Sequence, residues 1–298
     1  MDDIDFSAGL GSTPPRLPTP TPDCSGIINE IDEASAKGDL SAVRQAYSRL
    51  RSAPGGDRWL TSAGSGPYFA VQNRHAHIVE YFLREGVQIN PWSVKVATTQ
   101  KDKIILQMYL QNGWDINKEI SRVTPAALSF AIEDMDLTAW FLTRGADPNA
   151  RCQSGISPLN TALEAAPLDV IKMLLRHGST SLAGPAGINH VVRRDTGDQL
   201  EVLQYVLDNG GRALVNHVLY QDDPFWYRMQ EAFGLGTALH EAASYGKVQM
   251  ARLLVENGAD LTIKDSLGRT ALQRAEKNNH PEIVNYLRRV SREGAAQL

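Results

Sequence analysis

With 298 residues, 42% of them hydrophobic and 21% charged, the chain carries enough apolar material to bury a core along most of its length. A formal net charge of -4, from 34 acidic and 30 basic residues, gives no field that would draw nucleic acid or an anionic membrane. Two distant cysteines, Cys24 and Cys152, exclude a disulfide framework or a cysteine-rich metal centre, and no run approaches the ~20 apolar residues that cross a bilayer.

The acidic start (Asp2, Asp3, Asp5) lacks the basic and then apolar character of a secretory leader, which implies an intracellular chain in cytoplasm, nucleus or both. Thr13 to Pro22 is too rich in proline for a helix, so residues 1–25 read as a disordered, partly polyproline II tail. Thr13, Thr19 and Thr21 each precede a proline and are candidate phosphorylation sites, where a phosphate adds about -1.5 to -2 charges.

A recurring glycine then sets the organisation. Gly86, Gly113, Gly145, Gly178 and Gly210 follow at intervals of 27, 32, 33 and 32 residues, and Gly258 follows after 48. A period near 33 across residues 26–290 allows about eight units, leaving 291–298 as a flexible end. In one unit, Ser157 is placed to cap a short helix that Pro158 opens. Val170, Ile171, Leu174 and Leu175 give the next helix a broad apolar face, and Gly178 supplies the left-handed residue that ends it. Two such short helices cannot cover each other's faces alone, so each pair must lean on the next.

The irregular intervals locate departures from the pattern. The interval of 27 is too short for a full hairpin, so Pro91-Trp92-Ser93 is expected to replace it with a direct turn. The interval of 48 holds 15 extra residues, assigned to an insertion at about 212–235. Insertions of this kind collect in the connections between repeats.

The best-formed copy runs from Gly236, Thr237, Ala238, Leu239 and His240 to Gly258, Ala259 and Asp260, and Thr270, Ala271 and Leu272 restart it 33 residues after Thr237. This resembles the ankyrin repeat, with Ala238 in place of the proline of its T-P-L-H-x-A core. The insertion followed by Gly-Leu-Gly-Thr-Ala-Leu-His is similar to uncharacterised ankyrin proteins of filamentous fungi. The resemblance implies an all-α solenoid of about eight helix pairs, with hairpin tips and first helices forming a concave recognition face for another protein. It implies a scaffold or adaptor rather than an enzyme, in which His240 ties neighbouring hairpins together. The hairpin-tip candidates for partner contact are Asp147, Asn149, Arg151, Gln153, Asp260, Lys264 and Asp265.

Outside the repeat pattern, Phe225, Trp226, Tyr227 and Arg228 in the insertion form the sharpest candidate for binding, because aromatics and arginine dominate interface hot spots. The competing reading is that these rings plug the insertion onto its neighbours. Arg193 and Arg194 are placed to put positive charge near the end of a first helix, and Trp92, Trp114 and Trp140 are expected to pack between repeats. His75 and His77, two residues apart, are expected to diverge on a helix, and neighbouring acids such as Glu133-Asp134 and Asp222-Asp223 read as caps or solvated charges. No nucleophile elbow, zinc-helix motif or phosphate loop occurs, so no catalytic residue, cofactor, metal, nucleic acid or membrane partner is assigned, and a monomer is expected. Two other functions compete: an accessory or unorthodox enzyme acting on a small metabolite, suggested by the aromatic insertion, and a transcription co-regulator, suggested by the Thr-Pro tail.

Overall fold

The computed structural model describes residues 22–177 and 187–295, so Thr13, Thr19, Thr21 and Gly178 lie outside the described residues. The described residues form two compact units, divided between Asp115 and Ile116.

The first unit holds three helix pairs: α1 (Pro22–Lys37) with α2 (Leu40–Ser52), α3 (Gly66–Gln72) with α4 (Ala76–Arg84), and α5 (Pro91–Thr99) with α6 (Lys103–Gln111). First helices stack on first helices, α1 on α3 on α5, and second helices do the same. Ile31, Val43, Leu50, Ile78, Phe82, Ile105 and Leu106 fill the space between them. The helix α1 starts four residues before the expected domain boundary at 26. Proline costs nothing in a first turn, and Cys24, Ile28 and Ile31 are buried. Between α4 and α5 the chain passes from Gly86 straight to Asn90, whose side chain caps Trp92 N–H at 2.9 Å, so a direct turn at Pro91 does replace the hairpin.

The second unit begins with a hairpin of β1 (Glu119–Ser121) and β2 (Thr124–Ala126), antiparallel with Glu119 opposite Ala126. A 3-10 turn at Ala127–Phe130 then takes the place of a first helix beside α7 (Met135–Leu142). Four pairs follow: α8 (Pro158–Ala165) with α9 (Leu168–Arg176), α10 (Gly187–Arg193) with α11 (Gln199–Asp208), α13 (Ala238–Ser244) with α14 (Val248–Glu256), and α15 (Ala271–Lys277) with α16 (Pro281–Ala295). The additional helix α12 (Pro224–Gln230) belongs to the insertion. The helix α16 runs past the expected end of the repeats at 290, with Ser291 Oγ donating to Leu287 O at 2.8 Å. Among the described residues the fold is an all-α repeat of eight pairs, apart from the short hairpin.

Local chemistry starts and stops these helices. Ser157, Thr237 and Thr270 close capping boxes at the starts of α8, α13 and α15. Asp39, Asp102 and Asp134 cap the second helices α2, α6 and α7. Gly86, Gly113, Gly145, Gly210 and Gly258 all take left-handed φ values between 80° and 109°, which a side chain would resist.

A second device joins consecutive pairs. A residue in the turn between the two helices of a pair donates to the carbonyl near the end of the preceding pair's first helix: His75 Nε2 to Ala36 O at 3.2 Å and Gln100 Nε2 to Gln72 O at 2.8 Å in the first unit. In the second unit Arg194 Nη2 donates to Ala166 O at 2.7 Å, Lys247 Nζ to Arg194 O at 2.6 Å and His280 Nε2 to Ser244 O at 2.9 Å. Each bond satisfies an orphan carbonyl of a helix C-terminus, and a cation there also suits the helix dipole.

Asp32 on α1 bridges to the turn before α3, accepting Ser65 N–H at 2.9 Å. Burial pushes its carboxyl up to about 7, against the lowering effect of the Ser65 and Gly66 amides. An unfolded aspartate titrates near about 3.9, so the unfolded chain releases this proton first and stability falls as pH rises from about 4 through about 7. Urea titrations at intervals across that range should show this decline in the wild type and a flatter profile in Asp32→Asn. Superimposable profiles would contradict the assignment.

Candidate functional site

The insertion is bracketed by residues that keep the regular repeat. Asn117, four residues after Gly113, donates through Nδ2 to Gly145 O at 3.1 Å and accepts Asp147 N–H at 2.7 Å, clamping the next hairpin. Asn216 does the same further on, donating to Gly258 O at 3.0 Å and accepting Asp260 N–H at 2.8 Å. Thr237 then caps α13 in the ordinary way, so the added structure lies chiefly between Asn216 and Thr237, with a 3-10 turn at Gly211–Leu214 ahead of it.

Within that bracket the chain is tied down at several points. Leu219 and Leu235 are buried against each other, with Val218, Tyr220 and Tyr227 packed around them. Leu219 N–H donates to Gly236 O at 3.1 Å, closing the base. His217 Nδ1 accepts from Gln221 at 3.0 Å, and its Nε2 lies 3.0 Å from the Asp222 carboxylate. Asp223 caps α12 by accepting Trp226 N–H at 3.1 Å. Trp226 Nε1 donates to Gln153 O on the 150s hairpin. Ser266 binds the other end, accepting Leu235 N–H at 2.7 Å and donating to Glu231 O. Gly234 is required here: its φ is +81°, and a Cβ would lie 2.3 Å from Arg269 Nη2.

The aromatic triplet therefore splits. Trp226 is bonded to the 150s hairpin and Tyr227 packs on the Leu219–Leu235 cluster, so both hold the insertion in place, whereas Phe225 is 65% exposed and Arg228 is exposed beside it. The sequence grouping was too coarse, because adjacent residues on a helix point about 100° apart. Met229 and Phe233, 60% and 61% exposed, join Phe225 on the outside and had not been singled out. The spacing of four between Phe225 and Met229 was the available signal.

Of the hairpin-tip candidates, Arg151, Gln153 and Lys264 are exposed, and Gln153 alone is bonded to the insertion among them. Asp147 and Asp260 are exposed, but each carboxylate is engaged in its own turn, with Asn149 N–H at 2.8 Å and Thr262 N–H at 2.7 Å. Hydrogen bonds from Thr262 hold the Asp260 carboxyl below its ordinary range. Asn149 is half-buried and donates to Asp147. Asp265 is a correction: its side chain is wholly buried between Arg269 and Arg274 and cannot meet a partner.

Several other sequence expectations resolve into structural roles. His240 accepts Thr237 N–H on Nδ1 at 3.1 Å and donates from Nε2 to Arg269 O at 3.1 Å, tying α13 to the following hairpin. Burial pushes its pKa down, with Arg274 adding to the effect, which keeps the ring neutral for this pair of bonds. Arg194 is buried against Asp198 and Ala166 O and contributes no surface charge, because it serves as the inter-pair donor. Arg193 pairs with Glu241 at 3.4 Å. His75 and His77 do not diverge: His75 sits before α4 rather than within it, and the rings are 5.9 Å apart, bound to Ala36 O and Gly38 O. Trp92 and Trp140 are half-buried and covered by Lys95 and Arg144. Near α10, His190 Nδ1 meets Glu164 at 2.5 Å; burial would raise the Glu164 carboxyl, but His190 and the Arg193 charge together hold it low. Among the described residues no group of three His, Cys, Asp or Glu side chains could hold a metal ion, and no helix is long and apolar enough to cross a membrane.

Residues 197–295 match the family model for ankyrin repeats in three copies. That stretch carries ankyrin repeats. Curated relatives include a probable E3 ubiquitin-protein ligase of rice, XBOS33, 35% identical over 77 residues that make up 26% of this chain and 15% of that protein. Diacylglycerol kinase iota of mouse is 29% identical over 143 residues, 45% of this chain and 12% of the kinase. The ankyrin repeat protein nuc-2 of Neurospora crassa is 28% identical over 175 residues, 58% of this chain and 15% of that protein, in keeping with the likeness to fungal ankyrin chains. This chain thus spans 12–15% of the length of these relatives. A solved complex of the Bd0816 predatory endopeptidase of Bdellovibrio bacteriovorus with immunity protein Bd3460 contains a chain with a TM-score of 0.51 at 19% identity, covering 66% of this chain and 96% of that one, a likeness of fold. Ankyrin repeats are in general protein-interaction modules without catalytic activity of their own.

Proposed function

We propose that the second unit is an adaptor module that holds another protein against its insertion and the flanking hairpins. The observation that carries this reading is the split of the aromatic cluster, in which the half-buried Trp226 and Tyr227 fix a helix that keeps Phe225 65% exposed beside an exposed Arg228. A large apolar side chain held rigidly in water gains by docking, and little conformational freedom is lost when it does. Gln153, whose carbonyl accepts from Trp226, adjoins the insertion, and the exposed Arg151 and Lys264 lie two residues from Gln153 and Ser266, the hairpin residues bonded to it, as a polar rim for such a contact. Asp147, Asn149 and Asp260 shape those hairpins.

Affinity capture with the tagged full chain tests the reading. A stoichiometric protein partner should be recovered with the wild type and lost with the double variant Phe225→Ala, Arg228→Ala, while the melting temperature stays within about 2 °C because neither side chain is buried. Undiminished capture by the double variant would remove the insertion from the binding surface.

A further inference from the structure

In the second unit the first helices stack each on the next, α8 on α10, α10 on α13 and α13 on α15. A pair in such a row is held by the pairs beside it, so its opening is felt mainly by them. The hairpins add contacts that reach further. Gln153, in the hairpin that leads into α8, is bonded on both sides: its N–H donates to the Glu119 carboxylate at 2.9 Å, and its carbonyl accepts from Trp226 Nε1. Ser154 N–H donates to Arg122 O, also at 2.9 Å. The Trp226 bond is the unusual one, because the insertion leads into α13 and the whole pair of α10 and α11 comes between the two hairpins in the row. Tyr220 supports it, with its ring 3.9 Å from where a Cβ would stand on Gly155. At its other end the insertion exchanges two bonds with Ser266 of the hairpin before α15: Leu235 N–H donates to Ser266 Oγ at 2.7 Å, and Leu235 O accepts Ser266 N–H at 2.8 Å. Asn189 of α10 donates to Gly236 O at 3.2 Å.

We infer that the insertion is a brace, a second line of connection along the hairpins that makes pairs which do not stack on each other open together. The pitch between neighbours is set by their own clamps at Asn117 and Asn216, and the insertion adds coupling across the intervening pair. A slack loop could not do this, because it would absorb any movement at one end before the other felt it. This segment is not slack. Leu219 and Leu235 are buried against each other with Tyr220 and Tyr227 packed on them, and Leu219 N–H closes the base on Gly236 O at 3.1 Å. A segment with its own small core moves as one body. Opening of the 150s hairpin must therefore either break the Trp226 bond or carry strain to Ser266 and the pair of α15 and α16. The inference concerns the inward side of the insertion and is independent of what docks on its outward side.

Native-state hydrogen exchange of the full chain tests the inference. Leu174→Ala weakens the pair of α8 and α9, and its effect should reach two pairs along the row, speeding exchange of the α13 amides by about tenfold. In a Trp226→Phe background, which keeps a ring and removes the indole N–H, the same substitution should speed them by a factor at least about threefold smaller. Phe225→Ala, on the outward side, is the control and should transmit as the wild type does. Transmission that differs by less than about threefold between the wild-type and Trp226→Phe backgrounds overturns the inference, as does an equal loss in Phe225→Ala. The wild type alone supplies a second measurement that does not depend on any variant folding. The Trp226 indole proton should be protected, relative to a free indole, to within about tenfold of the Ser154 amide. An indole less protected than that would show that the bond to Gln153 opens on its own, and the brace would be refuted.

Discussion

Replacing Asp265 by alanine is expected to cost about 3–5 kcal/mol, the penalty for stranding a buried charge, even though the residue sits in a hairpin that sequence alone marks as surface. Its Oδ1 accepts Leu267 N–H at 2.9 Å and Arg269 N–H at 2.8 Å, and its Oδ2 accepts Arg269 Nε at 2.9 Å and Arg274 Nε at 2.7 Å. Without the carboxylate, Arg274 remains buried with its counterion gone, and the hairpin loses the groups that hold its turn. Burial alone would push the Asp265 carboxyl up, but the Arg269 amide and the two guanidiniums prevail and hold it at about 2. The folded state therefore binds this proton less readily than the unfolded chain, so the stabilisation is complete above about 4 and is lost as pH falls toward 2. Chemical denaturation of wild type and Asp265→Ala at pH 7 and pH 3 measures both effects. A loss below about 1 kcal/mol at pH 7 would show that the residue is not a keystone.

Leu174→Ala and Leu254→Ala should each cost about 2–5 kcal/mol, because both side chains are fully buried on second helices, where no neighbour can move in to fill the gap. Leu175, next to the first of them, is half-buried and provides the internal comparison: Leu175→Ala should cost distinctly less than Leu174→Ala. Each pair in a linear stack is supported mainly by the pairs beside it, so these losses should appear as destabilisation of a block of repeats around the site. Hydrogen exchange can localise that block. Costs under about 0.5 kcal/mol at both leucines would mean that the helix faces are wrongly assigned.

Much of the repeat was legible because its signals are local. A glycine that ends a helix, a serine or threonine that caps the next, and apolar residues on one side all act within a few positions, which is why Gly145, Ser157 and Thr237 are where the pattern puts them. Bonds between pairs were not legible, because Asn216 reaches Gly258 and Lys247 reaches Arg194 across 42 and 53 residues. Asn117 and Asn149, each four residues after a closing glycine, carried a faint periodic hint of the clamp, and the two added residues before Asn216 hid it there. Arg194 and Asp265 failed for a related reason: composition marks a charged residue as exposed, and only the fold brings together the partners that let it be buried. In the insertion the sequence could not tell the inward from the outward members of the aromatic run, because the direction of Trp226 is set by Gln153, 73 positions earlier in the chain.

The bracketing of the insertion by Asn216 and Thr237 has an evolutionary corollary. Both ends already satisfy the repeat's own geometry, and Leu219 and Leu235 supply a small core apart from the main stack. The stretch between them is consequently a cassette: its outward residues can drift, or a different segment can be spliced in, while the pitch of the helices on either side stays fixed. Selection can rewrite what this surface displays without reopening the problem of how the molecule folds.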